Sequence, residues 1–500
     1  MKLSTLLAGV EADVAGENGE LEIRQVVCDS RKVQARALFF ALHGAKADGN
    51  AFVRDAIGLG AVAIASEDNP AAGIPASVAW IRVREARRAL AAAAANFFRH
   101  PANALKLVAV TGTNGKTTTT SLLDAIVKSS GAKTGLFGTI AYHTPLGEYP
   151  APNTTPESVD LQQAFAEIRD AGGCYAVLEA SSHSLAMDRL WGCHFAAAVF
   201  TNLTREHMDY HKTFEDYFAA KRRLFEGTGS GAPDVAIVNT DDPYGKRLGG
   251  LARHTVTYGL EGAELTAKKF QLTFSGLSFT ALTPNGKVRV ESRLVGRINV
   301  YNILAAIGAA QALGLSNEAI ETGIRGLESV SGRFQRIDLG QKFFVVVDYA
   351  HTDDALENLI RTARELNPKG RIITLFGCGG GKDRTKRPVM GEVAGRLSDL
   401  TILSNDNPKT EDPLKIISDI VVGLQKTNGK YLIEPDREKA IGLAMDEARA
   451  GDIVLLAGKG HENYQILADR TLEFDDREQA RAALLQRGYD RPPGGQGFGT

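Results

Sequence analysis

The chain has 500 residues, 44% hydrophobic and 23% charged, with a formal net charge of −1. That balance excludes a disordered chain and any bulk electrostatic pull toward nucleic acid or anionic lipid. At ~100–200 residues per domain the length predicts two to four domains.

The four cysteines, Cys28, Cys174, Cys193 and Cys378, show no metal-type or C-x-x-C spacing. No stretch approaches the ~18 apolar residues of a membrane span, and the N-terminal apolar run is too short for a signal segment. A reduced, cytoplasmic protein without a membrane span is expected.

Residues 1–101 read as a small α/β unit. Val26 to Cys28, Ala37 to Leu42 and Ala61 to Ala65 are strand-like, and Phe52 to Leu59 looks helical. A second helix over Glu85 to Phe98, rich in alanine, ends where His100-Pro101 blocks continuation. Asp29-Ser30-Arg31 and the loop His43 to Gly49 follow strands; they suit a polar ligand, and turn formation explains them equally well.

The central unit, 102–330, opens on the stretch that organises the chain. Lys106 to Thr111 is a short apolar strand running into Gly112-Thr-Asn-Gly-Lys-Thr-Thr118. A strand, a glycine loop and then Lys-Thr at a helix start is the geometry of a phosphate cradle. Lys116 would meet the outer phosphates and Thr117 the accompanying Mg²⁺. The spacing departs from G-x-x-x-x-G-K-[ST], because Val110 stands five before Gly115. Further strands deliver Glu179 with Ser181-Ser182-His183, and Glu206-His207 with Asp209 and His211. Continuous apolar strands alternating with helices predict a mainly parallel sheet with ligands at its carboxyl ends. A hairpin is expected across Leu265 to Val290, and a helix from Asn299 to Leu313. Glu179 and His207 are candidate Mg²⁺ ligands, and Lys221, on a helix over Phe214 to Phe225, reads by itself as a solvated lysine.

Residues 331–490 form a third, Rossmann-like unit with four apolar runs, each ending in a polar or glycine-rich loop: Asp348 to His351, Gly377 to Gly381, Asp406 to Lys409 and Gly458 to Glu462. The G-x-G-x-x-G spacing fails at Gly377 to Gly381. Residues 491–500 lack apolar periodicity and are expected to be disordered. The predicted fold class is therefore α/β in three domains, with a P-loop-type mainly parallel sheet in the centre. An NTP cradle flanked by two further α/β units suggests a multi-substrate synthetase.

At Thr111 to Thr117, Glu179 to His183, His207 to His211 and Asp348 to His351 the chain resembles the Mur ligases of peptidoglycan synthesis, in order and over nearly its whole length. Asp29-Ser30-Arg31, Asp406-Asn-Pro-Lys409 and Gly458-Lys-Gly-His-Glu462 resemble the members that add the third residue to UDP-N-acetylmuramoyl-L-alanyl-D-glutamate. The resemblance implies an ATP- and Mg²⁺-dependent amide ligase working through an acyl phosphate, with Lys116, His207 and Lys221 as catalytic residues. It implies ATP contacts at Gly112, Thr113, Asn114, Gly115, Lys116, Thr117, Thr118, Asn299, Arg333 and Asp348. Cys28, Ser30, Ala45, Lys46 and Ala47 would meet the uridine nucleotide, and Asn153, Thr154, Thr155, Ser181, Met187 and Arg189 the muramoyl dipeptide. Met187 stands where some members have glutamine, so that polar contact is not carried over. Thr117, Glu179, His207 and Lys221 would hold Mg²⁺, with Lys221 carbamylated by CO₂ to N6-carboxylysine.

Arg387, Asp406, Asn407, Pro408, Lys409, Gly458 and Glu462 would line the amino-acid pocket. Members using meso-diaminopimelate resemble Asp-Asn-Pro-Arg, and lysine-adding ones often have alanine at the last position. Lys409 keeps the positive charge without the bidentate fork and would repel the distal ammonium of L-lysine, so meso-diaminopimelate is expected. L-lysine is the alternative; a folylpolyglutamate synthetase-like ligase and a P-loop switch ATPase are more distant ones. Asp353, where the family usually has proline, should alter loop rigidity rather than chemistry. The partners implied are small molecules acting on a monomer.

Overall fold

The computed structural model describes residues 1–14, 18–44, 47–70 and 72–490. Three α/β units follow one another along the chain, each built on its own sheet.

The first sheet has five strands. Gln25–Val27, Ala37–Phe40, Ala61–Ser66 and Ala79–Val83 run parallel, and Ala12–Val14 is antiparallel at the edge. The alanine-rich helix Ala86–Phe97 covers one face with Ala86, Ala89, Leu90 and Ala93.

The central sheet has eight strands. Lys106–Thr111 lies at its middle, between Tyr175–Glu179 and Ala197–Phe200, both parallel to it. Chain connections leave this strand in opposite directions, so the loop after it sits at a topological switch point, where open α/β sheets bind ligands. Leu107 to Val110 are fully buried, as expected of a strand with helices on both faces. Two short antiparallel strands, Ala141–Thr144 and Gly147–Pro150, extend one edge; their brief, half-polar pattern gave no signal in the sequence.

The expected hairpin is a three-stranded antiparallel sheet, Thr266–Thr273, Gly276–Thr283 and Gly286–Ser292. The Thr273 and Ser275 hydroxyls bond to each other at 2.9 Å and make a second tight turn that carries no Pro-Asn-Gly signature. Between this sheet and the central one runs Arg297–Ala312, buried at nearly every position from Val300 to Ala310. Its alanines and Gly308 let the helix approach both layers.

The last sheet has six strands. Phe344–Asp348, Ile453–Ala457, Ile372–Phe376, Leu400–Leu403 and Tyr431–Ile433 are parallel, and Gln335–Ile337 is antiparallel at the edge. Gly377 and Gly380 serve close packing: a Cβ on Gly380 would stand 1.9 Å from the Pro408 carbonyl oxygen. The glycine run that fails the dinucleotide spacing is thus what lets the Asp406 to Lys409 loop lie against its neighbour.

Below these loops Arg437 and Asp476, both fully buried, form an ion pair at 2.6 Å. The guanidinium also donates to the carbonyls of Asn405 (3.1 Å) and Ala457 (3.0 Å). Removing one partner of such a pair leaves a buried charge uncompensated. Asp476→Ala is expected to destabilise the C-terminal unit by about 3–5 kcal/mol, read as a lower urea midpoint. Arg437→Met/Asp476→Leu should lose less than Asp476→Ala alone.

Candidate active site

The cradle is shaped by its neighbours. Gly115 has φ +89°, and a Cβ there would stand 2.4 Å from Asn302 Oδ1, so both backbone conformation and space require glycine. The Asn114 N–H donates to Asn202 Oδ1 at 3.0 Å, and the Thr201 hydroxyl donates to the Asn114 carbonyl at 2.6 Å. Thr117 and Thr118 start the helix Lys116–Ser129 and are buried.

Two lysines converge on one carbonyl oxygen. Lys116 Nζ donates to Gly112 O at 2.9 Å and to Thr113 O at 2.8 Å, and Lys221 Nζ donates to Gly112 O at 2.7 Å. Lys221 is 1% exposed and lies 4.5 Å from the centre of the Tyr217 ring, so reading it as a solvated lysine was wrong. The helix Phe214–Glu226 turns this face inward with Tyr217, Phe218, Leu224 and Phe225. Burial, and then the Lys116 charge, hold the Lys221 amine well below the ordinary lysine range. Burial lowers the Lys116 ammonium too, against the opposing pull of Glu179 and Glu206.

Glu179, 1% exposed, accepts from the Thr139 N–H at 2.9 Å and the Thr139 hydroxyl at 3.1 Å. Burial pushes the His207 imidazolium down to about 3 despite Glu206 beside it, so the ring is neutral and keeps a lone pair. Its φ of +57° is rare for a side chain of this size. The buried Glu179 carboxylate and the Thr117 hydroxyl are oxygen donors of the kind a hard divalent cation takes, and the neutral His207 imidazole is a softer one.

Glu206, absent from the sequence-based candidates, accounts for the junction with the C-terminal unit. Burial alone would raise its pKa, but the His351 hydrogen bond and the Lys116 ammonium hold it well below the carboxylate range. His351 Nε2 lies 2.9 Å from Glu206 Oε1. Asn114 Nδ2 donates to Asp354 Oδ2 at 2.8 Å, and Arg333 Nη2 to the Thr117 hydroxyl at 3.3 Å. Between the two units lies a cavity of ≈ 340 Å³ lined by Asn114, Thr117, Asn299, Arg333 and Asp348 among others. Of the expected nucleotide residues, Asn114, Gly115, Thr117, Thr118, Asn299, Arg333 and Asp348 line this space, and Gly112, Thr113 and Lys116 do not. The Asn299 amide is itself engaged, donating to Val295 O at 2.7 Å and accepting from Asn302 at 2.9 Å. The Asp348 carboxylate, its pKa raised by burial, accepts the N–H groups of Phe334 and Ala350. Asn202, Asn302, Glu206 and Asp354 were missed; the signal lay in Asn202 trailing a buried strand and Asn302 one helical turn beyond Asn299.

A hydrogen-bonded line leads from Glu179 toward the first unit. Thr139 and Thr154 hydroxyls meet at 3.2 Å, and the Thr155 hydroxyl donates to Glu179 O at 2.7 Å. Arg189 donates to Thr155 O at 2.8 Å, pairs with Glu157 at 2.7 Å, and donates weakly to Met187 Sδ at 3.9 Å. Ser181 accepts from the Ser184 N–H as a helix cap, and Asn153 O accepts from the Tyr142 hydroxyl. Cys28 stands across from this line, and Ser30 starts the short helical turn Ser30–Lys32 just after it. Burial, with Glu157 and Asp160 facing it, pushes the Cys28 thiol up to about 12, and Lys32 reaches Asp160 at 3.8 Å. Asp29 and Arg31 pair with each other at 2.7 Å, which fits the capping reading for those two. Ala47 accepts from the Gly44 N–H; Ala45 and Lys46 lie outside the described residues, as do 491–500.

In the third unit Asp406, Asn407 and Pro408 are buried. Asn407 Nδ2 donates to Glu462 Oε2 at 2.8 Å, which joins the two loops. Gly458 has φ +111° and lies against the Asp406 carboxylate. Lys409 holds φ +55°, with its N–H on Ile466 O at 3.0 Å. Arg387 is fully buried, with Glu411 and Asp419 both at 2.9 Å from Nη1. Its charge is thus already compensated within the chain.

This arrangement, a phosphate cradle at a sheet switch point beside a cavity bounded by the C-terminal unit, is that of an ATP-dependent ligase. Residues 22–98 match the Mur ligase family catalytic domain, 110–310 the Mur ligase middle domain, and 332–460 the Mur ligase glutamate ligase domain. The chain belongs to the Mur ligase family.

It is 49% identical over 98% of its length to the UDP-N-acetylmuramoyl-L-alanyl-D-glutamate–2,6-diaminopimelate ligase of Solibacter usitatus, covering 99% of that protein. To the ligase of the same name from Geobacillus kaustophilus it is 44% identical, covering 98% of this chain and all of the relative (100%). A solved structure of a ligase of that name superposes with a TM-score of 0.67 at 32% identity, over 98% of this chain and 99% of the other. A folylpolyglutamate synthase from Mycobacterium tuberculosis shares the fold, with a TM-score of 0.61 at 16% identity over 81% of this chain and 95% of that one.

Gly115→Ala tests the cradle. Strain at φ +89° and the clash with Asn302 should weaken ATP binding about tenfold or more by calorimetry, with the far-ultraviolet circular dichroism spectrum unchanged.

Proposed function

We propose that the protein joins meso-2,6-diaminopimelate to the D-glutamate γ-carboxylate of UDP-N-acetylmuramoyl-L-alanyl-D-glutamate, with ATP cleaved to ADP and phosphate. The observation that carries this reading is the shared name and full-length match of its relatives. Features of this chain support it: the cradle borders the cavity between the central and C-terminal units, and the Asp406 to Lys409 and Gly458 to Glu462 loops are joined through Asn407 and Glu462.

A free carboxylate is a poor acyl donor. A γ-carboxylate oxygen attacks the γ-phosphorus of ATP, the bond to the bridging oxygen breaks, and ADP leaves. The amine nitrogen then attacks the acyl carbon. The tetrahedral intermediate expels phosphate and gives up a proton as the amide forms. Lys116 turns from the Gly112 and Thr113 carbonyls to the γ-phosphoryl group and steadies its charge. Arg333 and Asp348 bring the third unit to the nucleotide, and Arg189 with Thr154 and Thr155 aligns the acceptor. Thr117, Glu179, His207 and Lys221 as its carbamate would hold Mg²⁺, which when bound would supply positive charge to offset the negative charge of the phosphates.

The lysine pair supports the carbamate. Burial next to another cation lowers the pKa of the Lys221 amine and favours its neutral form, the form that adds CO₂. The resulting anion would relieve the Lys116 charge instead of opposing it. Lys221→Ala is expected to lower turnover by about 100-fold; undiminished turnover would remove the role.

Specificity for the third residue rests on Lys409. Its cation suits the distal carboxylate of diaminopimelate and opposes the distal ammonium of lysine. A ligation assay with both amino acids in competition should favour meso-diaminopimelate by roughly 100-fold. Preference for L-lysine would overturn this assignment.

A further inference from the structure

The Asp406 to Lys409 loop and the Gly458 to Glu462 loop follow the strands Leu400–Leu403 and Ile453–Ala457. Arg437 already fixes their bases, through Asn405 O and Ala457 O. A second cation sits at their tips. Lys459 is completely buried, and its Nζ lies 3.3 Å from Glu462 Oε2, 3.4 Å from Asn407 Oδ1 and 2.5 Å from Tyr464 O. An ammonium has three hydrogens and no acceptor, so these oxygens use its full capacity.

We infer that Lys459 is a positioning residue for the amino-acid substrate: it touches no substrate atom and sets the orientation of Glu462 and Asn407, which do. The inference rests on the amino-acid pocket proposed above. Asn407 is locked by bonds on both ends of its amide. Its Oδ1 accepts from Lys459 and from the Ile466 N–H at 3.0 Å, and its Nδ2 donates to Glu462 Oε2 at 2.8 Å. Lys459 and Asn407 thus bond the same Glu462 oxygen, which leaves Oε1 for the α-ammonium of an incoming amino acid. Without the lysine, Glu462 would swing away from Asn407 and the pocket would carry an uncompensated carboxylate. A lysine that served folding alone would have no reason to bond two pocket side chains above a base that Arg437 secures.

Steady-state kinetics of the full-length enzyme test this. In Lys459→Met the KM for meso-diaminopimelate should rise about 10–100-fold, with the KM values for ATP and UDP-muramoyl dipeptide within about twofold and kcat nearly unchanged. Lys459→Arg, which keeps the charge and should fold where Met does not, should show a smaller rise in the same constant. Combining Lys459→Met with Glu462→Gln should cost less than the two separate effects multiplied. An unmoved amino-acid KM in both Lys459 variants, or three KM values rising together, overturns the inference. The wild-type enzyme separates the two readings. Absence of amino-acid-dependent phosphate release overturns the ligase reading and this one with it. Normal wild-type saturation beside an unmoved KM in the variants overturns the role of Lys459 alone.

Discussion

Two lysine side chains bonded to the carbonyl of Gly112 set the constraint on which the rest of the site depends. Like charges at hydrogen-bond distance from one oxygen, with Lys221 closed off from water, cannot both be comfortable as ammonium ions. The conflict yields if Lys116 moves to an anion, or if Lys221 loses its charge or reverses it. Binding of a triphosphate supplies the first, and the proposed carbamate the second. The same pair therefore links nucleotide binding to the chemical state of a side chain from another helix. The cradle works only with Phe214–Glu226 packed behind it.

Much of the fold was legible because buried strands announce themselves. Val108 to Val110, Val345 to Val347 and Val454 to Leu456 are apolar on both faces, and the polar loops after them became the site. The carboxyl-end rule then placed Lys116, Glu179 and His207 together. What stayed hidden was of another kind. The burial of Lys221 depends on which face its helix presents, and Glu206 gains its meaning from His351, 145 residues further on. The roles of Asn202 and Asn302 come from bonds to the loop and close packing against Gly115, which no local pattern encodes. Arg387 gave a cation at the expected position without disclosing that Glu411 and Asp419 already hold it.

Backbone strain marks the same places. His207 and Lys409 both sit at positive φ, a conformation that costs non-glycine residues of order 1–3 kcal/mol and persists when surrounding structure over-determines it. At His207 the support is Glu206, with His183 packed edge-on at 4.7 Å between ring centres. At Lys409 it is the backbone bond to Ile466 and the Gly380 approach to Pro408. On the proposed function one would serve the phosphate chemistry and the other the choice of amino acid, and they belong to different units of the chain.

That separation fits what a family of ligases with one chemistry and several substrates requires. On the proposed function the cradle, Glu179, His207 and Lys221 would handle phosphate and charge, and nothing in them would read a side chain. Selection would then lie at the ends of the molecule, with Ser30 on one side and Lys409, Asn407 and Glu462 on the other. The bonds between units, Glu206 to His351 and Asn114 to Asp354, run from the cradle side directly to the C-terminal unit. An amino-acid pocket can therefore change its loops without altering the geometry that activates the carboxylate. On this proposal Lys409 in place of arginine is accommodated because the loop is held by its backbone and by Asn407, and its cation would face the substrate's distal end.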